Sequence, residues 1–224
     1  MPPDRSRTSP ISECPPRDCP RCPRLEAFRL HQRAAHADWH NAPVPAFGDR
    51  AARLAIVGLA PGLRGANRTG RPFTGDFAGD LLYGTLAEFG FSRGVFAARP
   101  DDGLSLIDAM IVNAVRCVPP ENKPTPDEIK NCNSFLAATL NALPRLAAIV
   151  ALGRVAHDAT LIAFGKVRAR HGFGHGAIHD LGAITLYDSY HCSRYNTNTG
   201  VLTPEMFRAV FARVRTDLDG NRHS

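Results

Sequence analysis

Four short apolar runs set what this chain can fold into. Leu54–Val57, Ile107–Val115, Leu146–Leu152 and Ile184–Tyr187 are too continuous in hydrophobicity for strands with one wet face. Each reads as a strand buried on both sides. Helical stretches lie between and after them. One starts near Asp76 and runs to about Phe89, and another fills Gly153–Phe164. A third opens at Thr125-Pro126-Asp127-Glu128 and ends near Leu143, with proline in its first turn and acids at its positive dipole end. The last opens at Thr203-Pro204-Glu205. Strands that alternate with helices through long connections give an α/β fold with a mostly parallel sheet, covered on both faces. Ligands of such sheets bind beyond the carboxyl ends of the strands. The loops after Val57, Val115 and Tyr187 fall on that edge, and they are the polar, unusual ones.

With 224 residues the chain is long enough for one substantial core. Residues 14–224 are expected to form a single domain behind a short disordered tail, 1–13. Leu25–Trp39 has helical spacing, and Asn41–Gly48 is a proline-bearing linker. No apolar run approaches the roughly 20 residues of a membrane span. The N-terminus lacks an apolar signal core, so a cytoplasmic protein is expected. Lys and Arg exceed Asp and Glu by 27 to 21, for a net charge of +6. That balance favours a polyanionic partner.

Six cysteines then matter for their spacing. Cys19-x2-Cys22 sits in a proline-rich knuckle, and Cys117 and Cys132 follow after 94 intervening residues, flanking a turn and a helix start. Paired cysteines in a chain of this kind suit a metal, and thiolates suit either zinc or an iron–sulfur cluster. Four such ligands would pin the knuckle to the helix that carries Cys132. Cys14, in the tail, could compete as a ligand; Cys192 reads as a small residue in a loop.

Three polar segments carry the remaining chemistry. The first is GLAPGLRGANRTGRPFTGD, Gly58 to Asp76. Glycine-exposed amides with Arg64, Arg68 and Arg71 can hold phosphates. The segment lacks both the ending of a nucleotide P-loop and the spacing of a dinucleotide fingerprint. Phe73 could stack on a base or simply fill the core under the loop, and Asp76 could equally be a helix N-cap. In the second, NAVRCVPPENKPTP, Asn113 ends a strand and Asn122 lies in a turn; an amide offers a donor and an acceptor side by side, as reading a nucleobase edge requires. The third is DSYHCSRYNTNTG, where His191 at a strand end could donate to developing negative charge, beside Arg194.

These three segments and the cysteine spacing together resemble the uracil-DNA glycosylase superfamily, specifically its family 5 (type B) enzymes. The resemblance covers most of the chain. It implies a three-layer α/β/α fold with a central four-stranded, mostly parallel sheet. It implies a [4Fe-4S] cluster on Cys19, Cys22, Cys117 and Cys132. It also implies excision of uracil, and of hypoxanthine, xanthine or other deaminated bases, from single- and double-stranded DNA in base excision repair. A monomer in contact with the nucleoid is the expected form. Family 4 enzymes carry glutamate in the first motif, as GEAPG; here Leu59 stands in that position, and neither it nor Ala60 can activate water. Family 5 enzymes use an aspartate after the GRPFTG segment, matched by Asp76.

The roles this implies are specific. Gly58, Ala60, Phe73 and Asn113 would receive the flipped base, with Phe73 stacking and Asn113 reading the edge. Arg64, Arg68, Arg71 and Arg194 would grip phosphates, with the Lys166–His175 loop in reserve. His191 would stabilise the departing anion. Asp76 would stabilise the sugar cation or orient water, and Asn122 could hold that water. No lysine nucleophile is evident, so no lyase step is expected. Two other readings stay open from the residues alone: a non-catalytic nucleic-acid-binding iron–sulfur protein, and a zinc-stapled hydrolase of free nucleosides.

Overall fold

The computed structural model describes residues 13–75 and 77–220. Its first helix, α1 (Pro23–Ala35), is followed by a two-residue strand β1 (Phe47–Gly48) and then by β2 (Leu54–Gly58), the first of the apolar runs. The short α2 (Ala66–Thr69) and α3 (Phe77–Glu88) follow, then a small hairpin of β3 (Ser92–Arg93) and β4 (Ser105–Leu106). β5 (Ala109–Asn113), α4 (Pro126–Asn141), β6 (Ala148–Leu152) and α5 (Arg154–Ala163) come next. The chain ends through β7 (Ile178–Asp180), β8 (Thr185–Ser189), α6 (Arg194–Asn198) and α7 (Pro204–Gly220).

The four strands read from the apolar runs form the parallel centre of the sheet, in the order β5-β2-β6-β8. β1 and β7 extend it to six strands as antiparallel edges. Both lie in stretches that read as linker and loop, because two or three residues are too few to display an alternation. Every residue of β2, β5 and β6 is buried. Successive side chains go to opposite cores. Leu54 and Ile56 join Leu82, Leu86, Phe207 and Phe211 of α3 and α7. Ala55 and Val57 join Leu136, Leu140, Ala156 and Ala159 of α4 and α5. That division is the three-layer α/β/α arrangement. No described helix is long and apolar enough to cross a membrane.

Helix boundaries have local causes. α4 opens on a reciprocal cap: Thr125 Oγ1 accepts from the Glu128 amide, and Glu128 Oε2 accepts from the Thr125 amide at 2.8 Å. Arg24 of α1 then forks onto the same carboxylate at 2.8 and 2.7 Å, tying the N-terminal helix to α4. α1 stops at Ala35 rather than at Trp39, and Trp39 folds back to stack on His36 with ring centroids 3.9 Å apart. The cysteine knuckle is thus bound to the body before any metal is considered. Glu13 is bound there too, its carbonyl accepting from Thr139 Oγ1 at 3.0 Å and its carboxylate pairing with Arg50.

Candidate active site

The first polar loop leaves β2 at Gly58, which pairs in register with Asn113 at the end of β5. A β-carbon at position 58 would fall 2.5 Å from Asn113 Oδ1 and 2.7 Å from the Phe73 ring, so only glycine lets the two strands and the ring close together. Asn113 is buried, and its Oδ1 has no hydrogen-bond partner among the described residues. A buried amide oxygen left unsatisfied is costly, on the order of 1–3 kcal/mol.

Phe73 sits beside it in a strained backbone conformation, φ 55°, which a bulky residue seldom adopts. Several contacts hold it there. Tyr83 donates its hydroxyl to the Pro72 carbonyl at 2.7 Å. Gly79 of α3 lets the helix press on the Phe73 carbonyl, where a β-carbon would meet oxygen at 2.1 Å. Arg71 completes the support and corrects the expectation placed on it. Its guanidinium is buried, forks onto Asp102 at 2.8 and 2.7 Å, and donates from Nε to Thr74 at 3.0 Å. The rings of Phe47, Tyr83 and Phe96 surround it. Arg71 therefore braces the Phe73 turn from inside and is not placed to grip DNA. The hydrogen bonds from Arg71 hold the Asp102 carboxyl well below the usual carboxylate range. Nothing in the sequence marks Asp102, which lies in an ordinary turn-forming stretch.

The third loop brings His191 opposite, its ring stacked toward Phe73 with centroids 6.1 Å apart and planes 25° from parallel. Asn196 fixes the His191 carbonyl at 2.8 Å, and Ser193 caps α6 through the Asn196 amide. Burial alone pushes the His191 imidazole down to about 4, so at neutral pH it is an uncharged N–H donor.

One cavity of about 1250 Å³ unites these groups. It is lined by Ala60, Phe73, Asn113, Asn122, His191 and Arg194, with Leu59, Gly62, Gly75, Phe77, Ala78 and Ser193 between them. Phe77 was missed by the sequence reading; the Arg194 guanidinium lies 5.7 Å from its ring. Asn122 reaches the wall through a left-handed turn, φ 57°. Arg64, Arg68 and Arg194 are exposed and carry no ion pair among the described residues, and of the three Arg194 lines the cavity. Asp76 lies outside the described residues. Cys192 is a small residue in the loop between β8 and α6, as expected, and it is fully buried against Ala78.

The strand that delivers His191 is anchored by a buried network. His157 Nδ1 lies 2.8 Å from Asp188 Oδ1, and His179 Nε2 lies 2.9 Å from Asp188 Oδ2. His157 Nε2 faces the His171 carbonyl at 2.9 Å. Both ring nitrogens of His157 thus face acceptors, so the ring carries two protons and pairs with the carboxylate. Burial opposes that charge, but the hydrogen bond and attraction of Asp188 outweigh it and raise the His157 pKa. The Lys166–His175 loop is folded onto β8 by this network. A raised folded-state pKa gives stability that is complete below the unfolded value of about 6.5 and is lost as pH rises through the folded value. Urea midpoints should therefore fall between neutral and alkaline pH. Asp188→Asn should flatten that slope and cost about 3–5 kcal/mol, as breaking a buried pair does.

A second cavity, about 320 Å³, is ringed by Cys19, Cys22, Cys117 and Cys132 with Leu25, Val115 and Phe135. None of the four is in a disulfide. The Arg116 amide and Arg29 Nη1 each point at a sulfur, Cys132 and Cys117 respectively, at 3.4 Å. Arg29 and Arg116 are both fully buried and pair with no carboxylate among the described residues. Burial pushes the Cys117 thiol up to about 12 and Cys132 to about 11, so a cation is needed to hold them as thiolates at neutral pH.

The family model described as "Uracil DNA glycosylase superfamily" matches residues 45–215. A Type-5 uracil-DNA glycosylase of Thermus thermophilus is 46% identical over 203 residues, covering 88% of this chain and 92% of that protein. One of the same description from Pyrobaculum aerophilum is 40% identical over 205 residues, 89% of each. A Type-4 uracil-DNA glycosylase of Archaeoglobus fulgidus is 39% identical over 114 residues, 50% of this chain and 49% of that one.

Proposed function

The chain belongs to the uracil DNA glycosylase superfamily, and from that premise we propose that it releases uracil from DNA as a monofunctional, monomeric glycosylase of the type-5 kind. The observation that carries the reading is the single cavity at the carboxyl edge of the sheet. It gathers a stacking ring, an unpartnered buried amide and an uncharged imidazole. A base inside a duplex cannot reach such a cavity, so the nucleotide must turn out of the stack; in single-stranded DNA it needs no unpairing. Phe73 stacks on the base and Asn113 pairs with its edge. The bond from C1′ to the base nitrogen breaks, its electron pair leaving with the base. His191 donates a hydrogen bond to the negative charge that develops there. A water oxygen then bonds C1′ and loses a proton. Asp76, whose chain neighbours Gly75 and Phe77 both line the cavity, is assigned to the sugar cation or to that water, with Asn122 as the water's second support.

Hypoxanthine and xanthine fit the same reading. The wall at Ala60 and Gly62 carries little side-chain bulk, and an amide can turn over to serve a different edge.

Cys19, Cys22, Cys117 and Cys132 are the ligands we assign to a [4Fe-4S] cluster. One feature supports iron over zinc. Among the described residues, the one trio of His, Cys, Asp or Glu whose ligand atoms lie within 4.8 Å of one another is His157, His179 and Asp188. The four thiols are spread wider than a single tetrahedral zinc, with ligands at about 2.3 Å, would hold them. Arg29 and Arg116, buried without carboxylates among the described residues, match the net negative charge that four thiolates leave on either metal centre. The cysteines lie behind Ala60, which packs on them and lines the base cavity, and none of the four enters that cavity, which suits a structural staple.

Oligonucleotides carrying uracil, hypoxanthine or xanthine, incubated with the protein and then cleaved with alkali, test the activity. Strand breaks at uracil and none in undamaged DNA are expected. Intact uracil-containing strands would overturn the proposal and leave a binding protein.

A further inference from the structure

A groove of about 920 Å³ opens beside the Arg68 turn. Arg17, Asp38, Trp39, His40, Arg68 and Arg99 line it. Three arginines thus face one carboxylate. Arg17 and Arg68 have no ion pair among the described residues, and Arg99 has only a 3.6 Å approach to Asp101, both side chains being largely in solvent. Trp39, the chain's one tryptophan, lies among them with its ring stacked on His36.

The walls are built, not incidental. His40 and Asn41 donate their amides to the carbonyls of Arg68 and Asn67, each at 3.0 Å. Asn67 Nδ2 donates to Asn41 Oδ1 at 2.8 Å, wholly buried. Arg33 spans the other wall, donating to the carbonyls of Asn41 at 2.8 Å and Arg17 at 3.0 Å. The left-handed backbone at Ala98, φ 57°, turns the third wall so that Arg99 faces in. The groove also meets the base cavity. Arg68 Nη2 lies 3.6 Å from where a β-carbon on Gly75 would stand, and Gly75 lines that cavity.

We propose that this groove is the track for the DNA backbone on one side of the flipped nucleotide. Arg17, Arg68 and Arg99 each neutralise a phosphate, and Trp39 lies against the sugar or base that follows. Cations set beside an aromatic ring along a continuous trough are what a nucleic-acid strand requires. The assignment rests on the reading of the chain as a DNA glycosylase. It adds that the cysteine-stapled N-terminal segment, which supplies Arg17 and Trp39, is part of the DNA-binding surface.

Two arms test it. The first uses undamaged duplex and needs no catalysis. Duplex should quench the fluorescence of Trp39. Arg17→Ala with Arg99→Ala should weaken binding about 10-fold or more and lower the salt slope by about two, since each released phosphate contributes about 0.9. The second arm uses uracil duplexes with the flank shortened on one side or the other. Shortening one particular flank should lower kcat/KM for the parent about 10-fold. The double variant should already show that loss on the long duplex and lose little more on the short one. Its single-turnover rate at saturation should equal the parent's. An unchanged salt slope in the double variant, or tryptophan emission blind to DNA, would overturn the groove as a track. Absence of uracil release by the parent would sink the enzymatic reading alone, because the first arm would still decide the groove.

Discussion

His191→Ala should slow single-turnover release of uracil by about 10²-fold or more, while leaving affinity for uracil-containing DNA close to the parent's. The size follows from what a placed donor to a developing anion contributes, ~3 kcal/mol, at about 1.4 kcal/mol per decade. Affinity should survive because the ring faces the cavity beside Phe73, whereas the exposed cations of these loops are Arg64, Arg68 and Arg194. The pH dependence separates this role from that of a general acid. With its imidazole pushed down to about 4, His191 is neutral from pH 5 upward and keeps its N–H throughout. The parent's release rate should then show no step near 6.5 that His191→Ala abolishes. Such a step would mean that a charged His191 acts in the reaction. Parent-like rates in a folded His191→Ala protein would remove it from the chemistry.

Much of the site was legible because chemistry and register coincide at strand ends. Gly58, Asn113 and His191 lie at or just beyond the carboxyl ends of apolar runs, so a parallel sheet alone brings their loops together. Phe73 was ambiguous in sequence between stacking and core. It is largely buried and also part of the cavity wall, at a backbone angle that only the surrounding packing sustains.

What escaped the sequence was pairing between distant charges. Arg71 looked like its neighbours Arg64 and Arg68, since all three sit in one glycine-rich loop. Only the fold shows that Asp102, on a separate turn, reaches it and turns it inward. Asp188 likewise passed as one more polar residue before His191, and His157 as one more helix position. Their mutual burial comes from α5 packing over the sheet at β6 and β2, which brings His157 to Asp188 on the neighbouring β8, a contact between segments that spacing cannot reveal. The edge strands β1 and β7 escaped for a simpler reason, having too few residues to carry a pattern.

Cys117→Ala should have the largest effect on stability. The parent, purified without oxygen, should hold about four irons per chain and absorb near 400 nm, as a [4Fe-4S] centre does. The variant should lose that iron and unfold with at least about 3 kcal/mol less free energy. Two losses combine. Ligand binding to a site absent from the unfolded chain is itself folding free energy. Arg29, which points at the Cys117 sulfur from a fully buried position, would be left without its anion, and an orphaned buried charge costs about 3–5 kcal/mol. The damage should centre on residues 13–44, where Cys19 and Cys22 tie the knuckle to β5 and α4. The Arg24–Glu128 fork, the Arg21 contacts to Asn131 and Ser134, and the Thr139 bond to the Glu13 carbonyl would still join that segment to α4. Whatever soluble protein remains should release uracil at the parent's single-turnover rate, because no cysteine of the four lines the base cavity. A parent that carries stoichiometric zinc and no iron would refute the cluster. A variant that loses iron yet keeps its full urea midpoint would refute the staple.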